Sequence, residues 1–153
     1  MKLFLDEFVI DRAAGSQADR LSIMVLIEGI RKKCDIVVFT PSLLAKYYKK
    51  MKRYEKQFRT QPKAIKSFAS FLRDSNKAII MNQPSHVELP PKLEGDRELV
   101  AAAIACDSEK MLITTDKDLI TSLQEESITT KHSIETITPE KAMEKMGYTQ
   151  LDQ

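Results

Sequence analysis

Apolar residues fall along this chain in two spacings. Short, mostly apolar runs at Leu3–Leu5, Ile36–Phe39, Ala78–Met81 and Met111–Thr115, and the mixed run Ser133–Ile137, are of strand length and predict strands. Between them, apolar positions recur three and four residues apart. Asp19–Lys33 carries Leu21, Met24, Val25, Leu26 and Ile30, and Ser42–Phe58 carries Leu43, Leu44, Tyr47, Met51, Tyr54 and Phe58. Lys63–Arg73 carries Ile65, Phe68, Ala69 and Leu72, and Arg97–Cys106 carries Leu99, Val100, Ala103 and Ile104. These spacings predict helices with one buried stripe each. A short helix at Leu119–Leu123 and a closing helix at Pro139–Met146 complete the set.

The punctuation agrees. Gly15-Ser16 supplies a turn and a cap, Thr40-Pro41-Ser42 ends a strand and opens a helix, Gln61-Pro62 separates two helices, and Gly147 stops the last one. Strands alternating with helices predict an α/β fold, a three-layer α/β/α sandwich around a mostly parallel sheet. The two-helix block Ser42–Arg73 departs from that alternation and reads as an insertion after the second strand. Ser85–Glu94, with two prolines, reads as an irregular connection.

Length changes this picture little: 153 residues suffice for one domain with a real core, here taken as residues 1–153. Cys34 and Cys106 stand outside any C-x-x-C spacing and read as small buried hydrophobes. The N-terminus enters strand at once, and no apolar run approaches membrane-spanning length, which leads us to expect a cytoplasmic protein without a membrane partner. Charge is more informative. Between Lys46 and Lys66 nine basic residues face one acid, Glu55, so this segment carries +8 of a whole-chain +2 and the remainder carries −6. Such segregation suits a polyanion approaching one face.

The candidate chemistry lies where apolar runs end. Leu3-Phe4-Leu5 stops on Asp6, and Met111-Leu112-Ile113 runs into Thr114-Thr115-Asp116-Lys117-Asp118. In parallel strands both acids lie at the carboxyl edge of the sheet, where open α/β folds place their ligands. Asp96 opens the helix that runs back along the sheet, so it shares that edge. Acids gathered on one rim repel unless a cation lies between them, and Mg2+ or Mn2+ suits oxygen ligands. Acids at helix starts also serve as caps. Asp116, Asp118 and Asp96 all admit that reading, and Asp6, flanked by Leu5 and Phe8, does not. His86 and His132 stand alone and receive no role.

The segments Leu-Phe-Leu-Asp6, Glu94-Gly-Asp96-Arg-Glu-Leu-Val-Ala-Ala-Ala, Leu-Ile-Thr114-Thr115-Asp116-Lys-Asp118-Leu and Ile137-Thr138-Pro139-Glu140 together resemble the PIN domain. The match runs in order along nearly the whole chain. The resemblance implies a Mg2+- or Mn2+-dependent nuclease acting on RNA. Asp6 would be its first acid, Asp96 its third, Asp116 its fourth and Asp118 an auxiliary ligand, with Thr114 and Thr115 bracing the site. Two departures stand out. The second acid, usually found in a Ser-x-x-Leu-x-Glu pattern, is Lys46 in Ser42-Leu-Leu-Ala-Lys46-Tyr, and the usual Asp-Thr-Asn opening is Asp6-Glu7-Phe8.

Two consequences of Lys46 are open. Its ammonium takes over part of the metal's role and weakens ion binding, or it swings to a substrate phosphate. Glu7, read as continuing a strand, should point to the other face, and Glu55 lies more than two helical turns beyond Lys46. Neither replaces the missing acid. Lys46, Lys49, Lys50, Arg53 and Lys56 are the candidates for phosphate contact. Tyr47, Tyr48 and Tyr54 are candidate stacking platforms, although Tyr47 and Tyr54 also fit a buried stripe. Two functions therefore compete: a metal-dependent endoribonuclease, free-standing or toxin-type with an antitoxin-like partner, and a catalytically weakened RNA-binding or scaffold protein. Homodimerisation is a further implication of the resemblance. An acidic-rim receiver or phosphatase is set aside because no convincing basic partner follows Lys117.

Overall fold

The computed structural model describes residues 1–147. Five strands, β1 (Lys2–Leu5), β2 (Ile36–Phe39), β3 (Ala78–Ile80), β4 (Lys110–Ile113) and β5 (Ile134–Ile137), form one sheet. All pairings are parallel, in the order β3-β2-β1-β4-β5. Leu3, Phe4 and Leu5 of β1 and every residue of β4 are buried, so both faces of the central strands are covered. This is the three-layer α/β/α sandwich that near-continuous apolar strands require.

The helices are α1 (Phe8–Ala13), α2 (Gln17–Lys32), α3 (Pro41–Glu55), α4 (Lys63–Leu72), α5 (Arg97–Ala105), α6 (Lys117–Glu125), α7 (Ile128–Lys131) and α8 (Pro139–Lys145), with a 3-10 helix at Pro91–Asp96. Helix α2 packs on α1, α4 and α8, while α5 packs on β1 and α3. Several ends are closed as the sequence suggests. Ser16 and Asp19 form a reciprocal capping box at the start of α2, and Thr40 and Thr138 cap α3 and α8 ahead of prolines. Gly147 adopts φ +89°, the left-handed conformation that ends a helix at low cost in glycine.

Four expectations need correction. Helix α1 was not anticipated: its six residues are too few to show a period, yet Phe8, Val9, Ile10 and Ala13 are all buried. The buried stripe of α2 is Ile23, Leu26, Ile27 and Ile30, while Leu21 is 51% exposed, because the helix packs on a face rotated from the one its start suggested. Cys34 is exposed and only Cys106 is buried. Finally, α3 and α4 are not an appendage. They form the crossover between β2 and β3, and Tyr47, Ile65, Phe68 and Phe71 are in the core, with the rings of Tyr47 and Phe68 edge-to-face at 5.8 Å.

Candidate active site at the switch point of the sheet

The strand order reverses direction at β1, between β2 on one side and β4 on the other. Crevices at such a switch point lie outside the carboxyl ends of the strands. Leu5 pairs with Ile113, so the next residues, Asp6 and Thr114, emerge side by side, and the Asp6 N–H donates to the Ile113 carbonyl at 3.1 Å.

Thr114 is fully buried and links the two acids that follow the strands. Its Oγ1 donates to Asp6 Oδ2 at 2.7 Å and accepts the Asp116 N–H at 3.0 Å. The other Asp6 oxygen, Oδ1, accepts the Glu7 N–H at 2.7 Å. Asp116 caps α6, since Oδ1 accepts the N–H groups of Asp118 and Leu119 at 3.0 and 3.1 Å. The capping reading is therefore true of Asp116, and its second oxygen forms no part of that cap. Asp118 and Thr115 are exposed.

Asp96 stands at the start of α5 but caps nothing. Burial, followed by the carboxylates of Asp6 and Asp116, holds its carboxyl above the ordinary aspartate range, against a smaller opposing pull from Lys46. The three acids thus act on one another across one rim, as the positions of their strands and helix foretell.

Glu7 does not continue the strand. The chain turns after Leu5 and Glu7 precedes α1, so its carboxylate returns toward the rim, 3.7 Å from Lys50. Lys46 is also tied: its Nζ lies 2.9 Å from Glu98 Oε2. Burial disfavours this ammonium, but its hydrogen bond and charge attraction to Glu98, helped by Glu7 and Asp96, outweigh that and raise its titration above the lysine range. The bond to Lys46 in turn lowers the Glu98 carboxyl. Glu98 was missed by sequence reasoning, although its place two residues after a helix-opening acid put it in the first turn, on this same edge.

Among the described residues, no three His, Cys, Asp or Glu side chains are grouped so as to hold a metal ion between them. The donor set suits a hard divalent cation chemically, with Asp6, Asp96 and Asp116 on one rim and Asp96 raised by burial and then by its acidic neighbours. The side chains do not close around a common point, and a lysine ammonium lies among them.

The basic block does not form one face. Lys46, Lys49, Lys50 and Arg53 line a cleft of about 210 Å³ with Glu7. Lys63 and Lys66 line a different cleft with Arg31 and Glu28. Lys50 is held by Asp11 at 2.8 Å, whereas Lys49, Arg53 and Lys56 are exposed. Of the tyrosines, Tyr47 is fully buried and donates to the Leu5 carbonyl. Tyr54 donates to Asp11 at 2.6 Å, a bond that with burial pushes its phenol up to about 12. Among the tyrosines of the described residues, Tyr48 alone keeps a free face, 40% exposed.

No family model matches the chain, and no curated protein or solved structure is significantly similar to it. No helix among the described residues is long and apolar enough to cross a membrane.

Proposed function

We propose that this chain is a PIN-like nuclease that hydrolyses RNA phosphodiesters with a divalent ion, Mg2+ or Mn2+, at the Asp6–Asp96–Asp116 rim. The observation that carries this reading is the gathering of three acids at the switch point: Asp6 and Asp116 are joined through the buried Thr114 hydroxyl, and Asp96, raised by burial and then by these two carboxylates, opens the helix beside them. A bound divalent ion supplies charge neutralisation and an acidified water. The rest is work for the chain itself. Thr114 and the Glu7 N–H hold the Asp6 carboxylate in one orientation. The Asp116 cap fixes one oxygen and leaves the other for ligation. The exposed Lys49, Arg53 and Lys56 take backbone phosphates, which gives affinity without sequence readout, and Tyr48 offers a ring to an unpaired base.

The test is cleavage of single-stranded RNA by purified protein with Mn2+, in chelator, and in Asp116→Asn. Asparagine keeps the capping oxygen of α6 and removes the charge, so the fold is preserved. Cleavage that requires metal and falls at least a hundredfold in the variant supports the proposal; equal cleavage by both proteins refutes it.

A second reading, an RNA-binding protein that does not cleave, is favoured by the Lys46–Glu98 pair and by the absence of a grouped set of three ligands among the described residues. It predicts salt-sensitive RNA binding that persists in chelator.

A further inference from the structure

We propose that the ammonium of Lys46 is the resident cation of the acidic rim, and that a divalent ion binds there only by displacing it from Glu98. The inference rests on reading the rim as a cation site and concerns what fills it in the absence of metal. Lys46 comes from α3 and Glu98 from α5, two helices in direct contact, and their charged atoms lie 2.9 Å apart. The pair also has a particular place. Lys46 lines the basic cleft, while Glu98 lines a second cleft of about 300 Å³ with Ser42, Gln83, His86 and Arg97. The ion pair is therefore the partition between two hollows beside the rim.

The charges around it are uneven. Asp6, Glu7, Asp96, Glu98 and Asp116 lie at this edge. Of the nearby cations, Lys50 is bound by Asp11 and Arg97 is bound to Glu94 and the Val87 carbonyl. Lys50 also reaches Glu7 at 3.7 Å, whereas Lys46 is paired with Glu98 at 2.9 Å and lies within the field of Glu7 and Asp96. One ammonium offsets one negative charge there. A divalent ion offsets two, but entering beside the ammonium it meets a like charge and leaves Glu98 occupied. Once the ammonium leaves, Glu98 becomes a free carboxylate in the first turn of α5, two residues after Asp96, so displacement removes a repelling charge and frees a further oxygen donor at this edge. The displaced ammonium already lines the basic cleft, where a phosphate would give it a new partner. Phosphate and metal then favour each other's binding through the same lysine, a coupling that is reciprocal by linkage.

The experiment is calorimetric titration of Mn2+ into wild type, Lys46→Met, Lys46→Arg, the double variant Lys46→Met with Glu98→Gln, and Asp96→Asn, with thermal melts to verify folding. Lys46→Met should tighten Mn2+ binding at least tenfold, the added Glu98→Gln should return most of that gain, and Lys46→Arg should stay as weak as wild type. If Lys46→Met binds no tighter than wild type while Asp96→Asn abolishes binding, the rim is a cation site but Lys46 is not its occupant, and the proposal is overturned with the nuclease reading intact. If no variant binds Mn2+, both are overturned.

Discussion

Replacing Thr114 by valine tests whether one buried hydroxyl organises the rim. Valine keeps the shape and removes two hydrogen bonds, the 2.7 Å donation to Asp6 and the 3.0 Å acceptance from the Asp116 N–H. A hydrogen bond to a charged group contributes roughly 1.5–3 kcal/mol, and an orphaned buried N–H costs roughly 1–3 kcal/mol. Asp6 is only half-buried and Asp116 is exposed, so water replaces part of both losses and the low ends apply, about 2.5 kcal/mol together. The added methyl at a fully buried position returns about 0.8 kcal/mol. The net cost is about 1.5–2 kcal/mol, equivalent to a fall in melting temperature of about 3–8 °C for a chain of this length. Urea denaturation of Thr114→Val, Thr114→Ser and Asp6→Asn, with the Thr114→Val/Asp6→Asn double variant, measures it. Thr114→Ser keeps the hydroxyl and should lose only about 1 kcal/mol for its missing methyl. The double-variant cycle should show a coupling of about 1 kcal/mol between positions 6 and 114. Loss of less than 0.5 kcal/mol in Thr114→Val, or additive effects in the cycle, would refute the reasoning.

Other outcomes follow from the same geometry. Because the folded state holds the Asp96 proton more tightly than the unfolded chain does, its ionisation costs stability. Asp96→Asn should therefore be more stable than wild type at neutral pH. The difference should shrink as pH falls through the raised carboxyl pKa and vanish below the ordinary aspartate range, which melts across a pH series would show. Tyr47→Phe should cost about 1 kcal/mol in urea denaturation, since the Leu5 carbonyl loses its buried donor. Absorbance titration at about pH 11 should show Tyr47 and Tyr54 still protonated in the native protein, held by burial and by Asp11 respectively, above the ordinary tyrosine value of about 10. In RNA binding followed by anisotropy, Lys49→Ala with Arg53→Ala should flatten the slope of log affinity against log salt by about 1.4 for a single strand. An unchanged slope would show that these side chains do not neutralise phosphates.

Most of the fold was legible because strand and helix periods are local properties of the chain. The five short runs mark the five strands to within a residue or two, and the order of elements forces the parallel crossovers. Asp6, Asp96 and Asp116 were likewise legible, because an acid that ends a strand or opens its returning helix lies at the carboxyl edge in any such sheet. Thr114 was readable as a brace only through the family pattern; its two hydrogen bonds exist because Leu5 and Ile113 are in register.

What the sequence could not determine was which charges meet. A chain position does not reveal the rotation of a helix about its axis, and that rotation decides every long-range pair. Leu21 was assigned to a buried stripe and lies in solvent, while Lys50 was assigned to nucleic acid and is held by Asp11, 39 positions away. Glu7 changes face because the chain turns into a six-residue helix too short to announce itself. Lys46 is the sharpest case. Its identity marks it as a departure from the acidic pattern, but only the packing of α3 on α5 supplies Glu98 and makes the lysine half of an ion pair. The sequence by itself determined the sheet and the carboxylates at its edge; the tertiary structure decided how their charge is balanced, because electrostatic partners are set by distance in space and not along the chain.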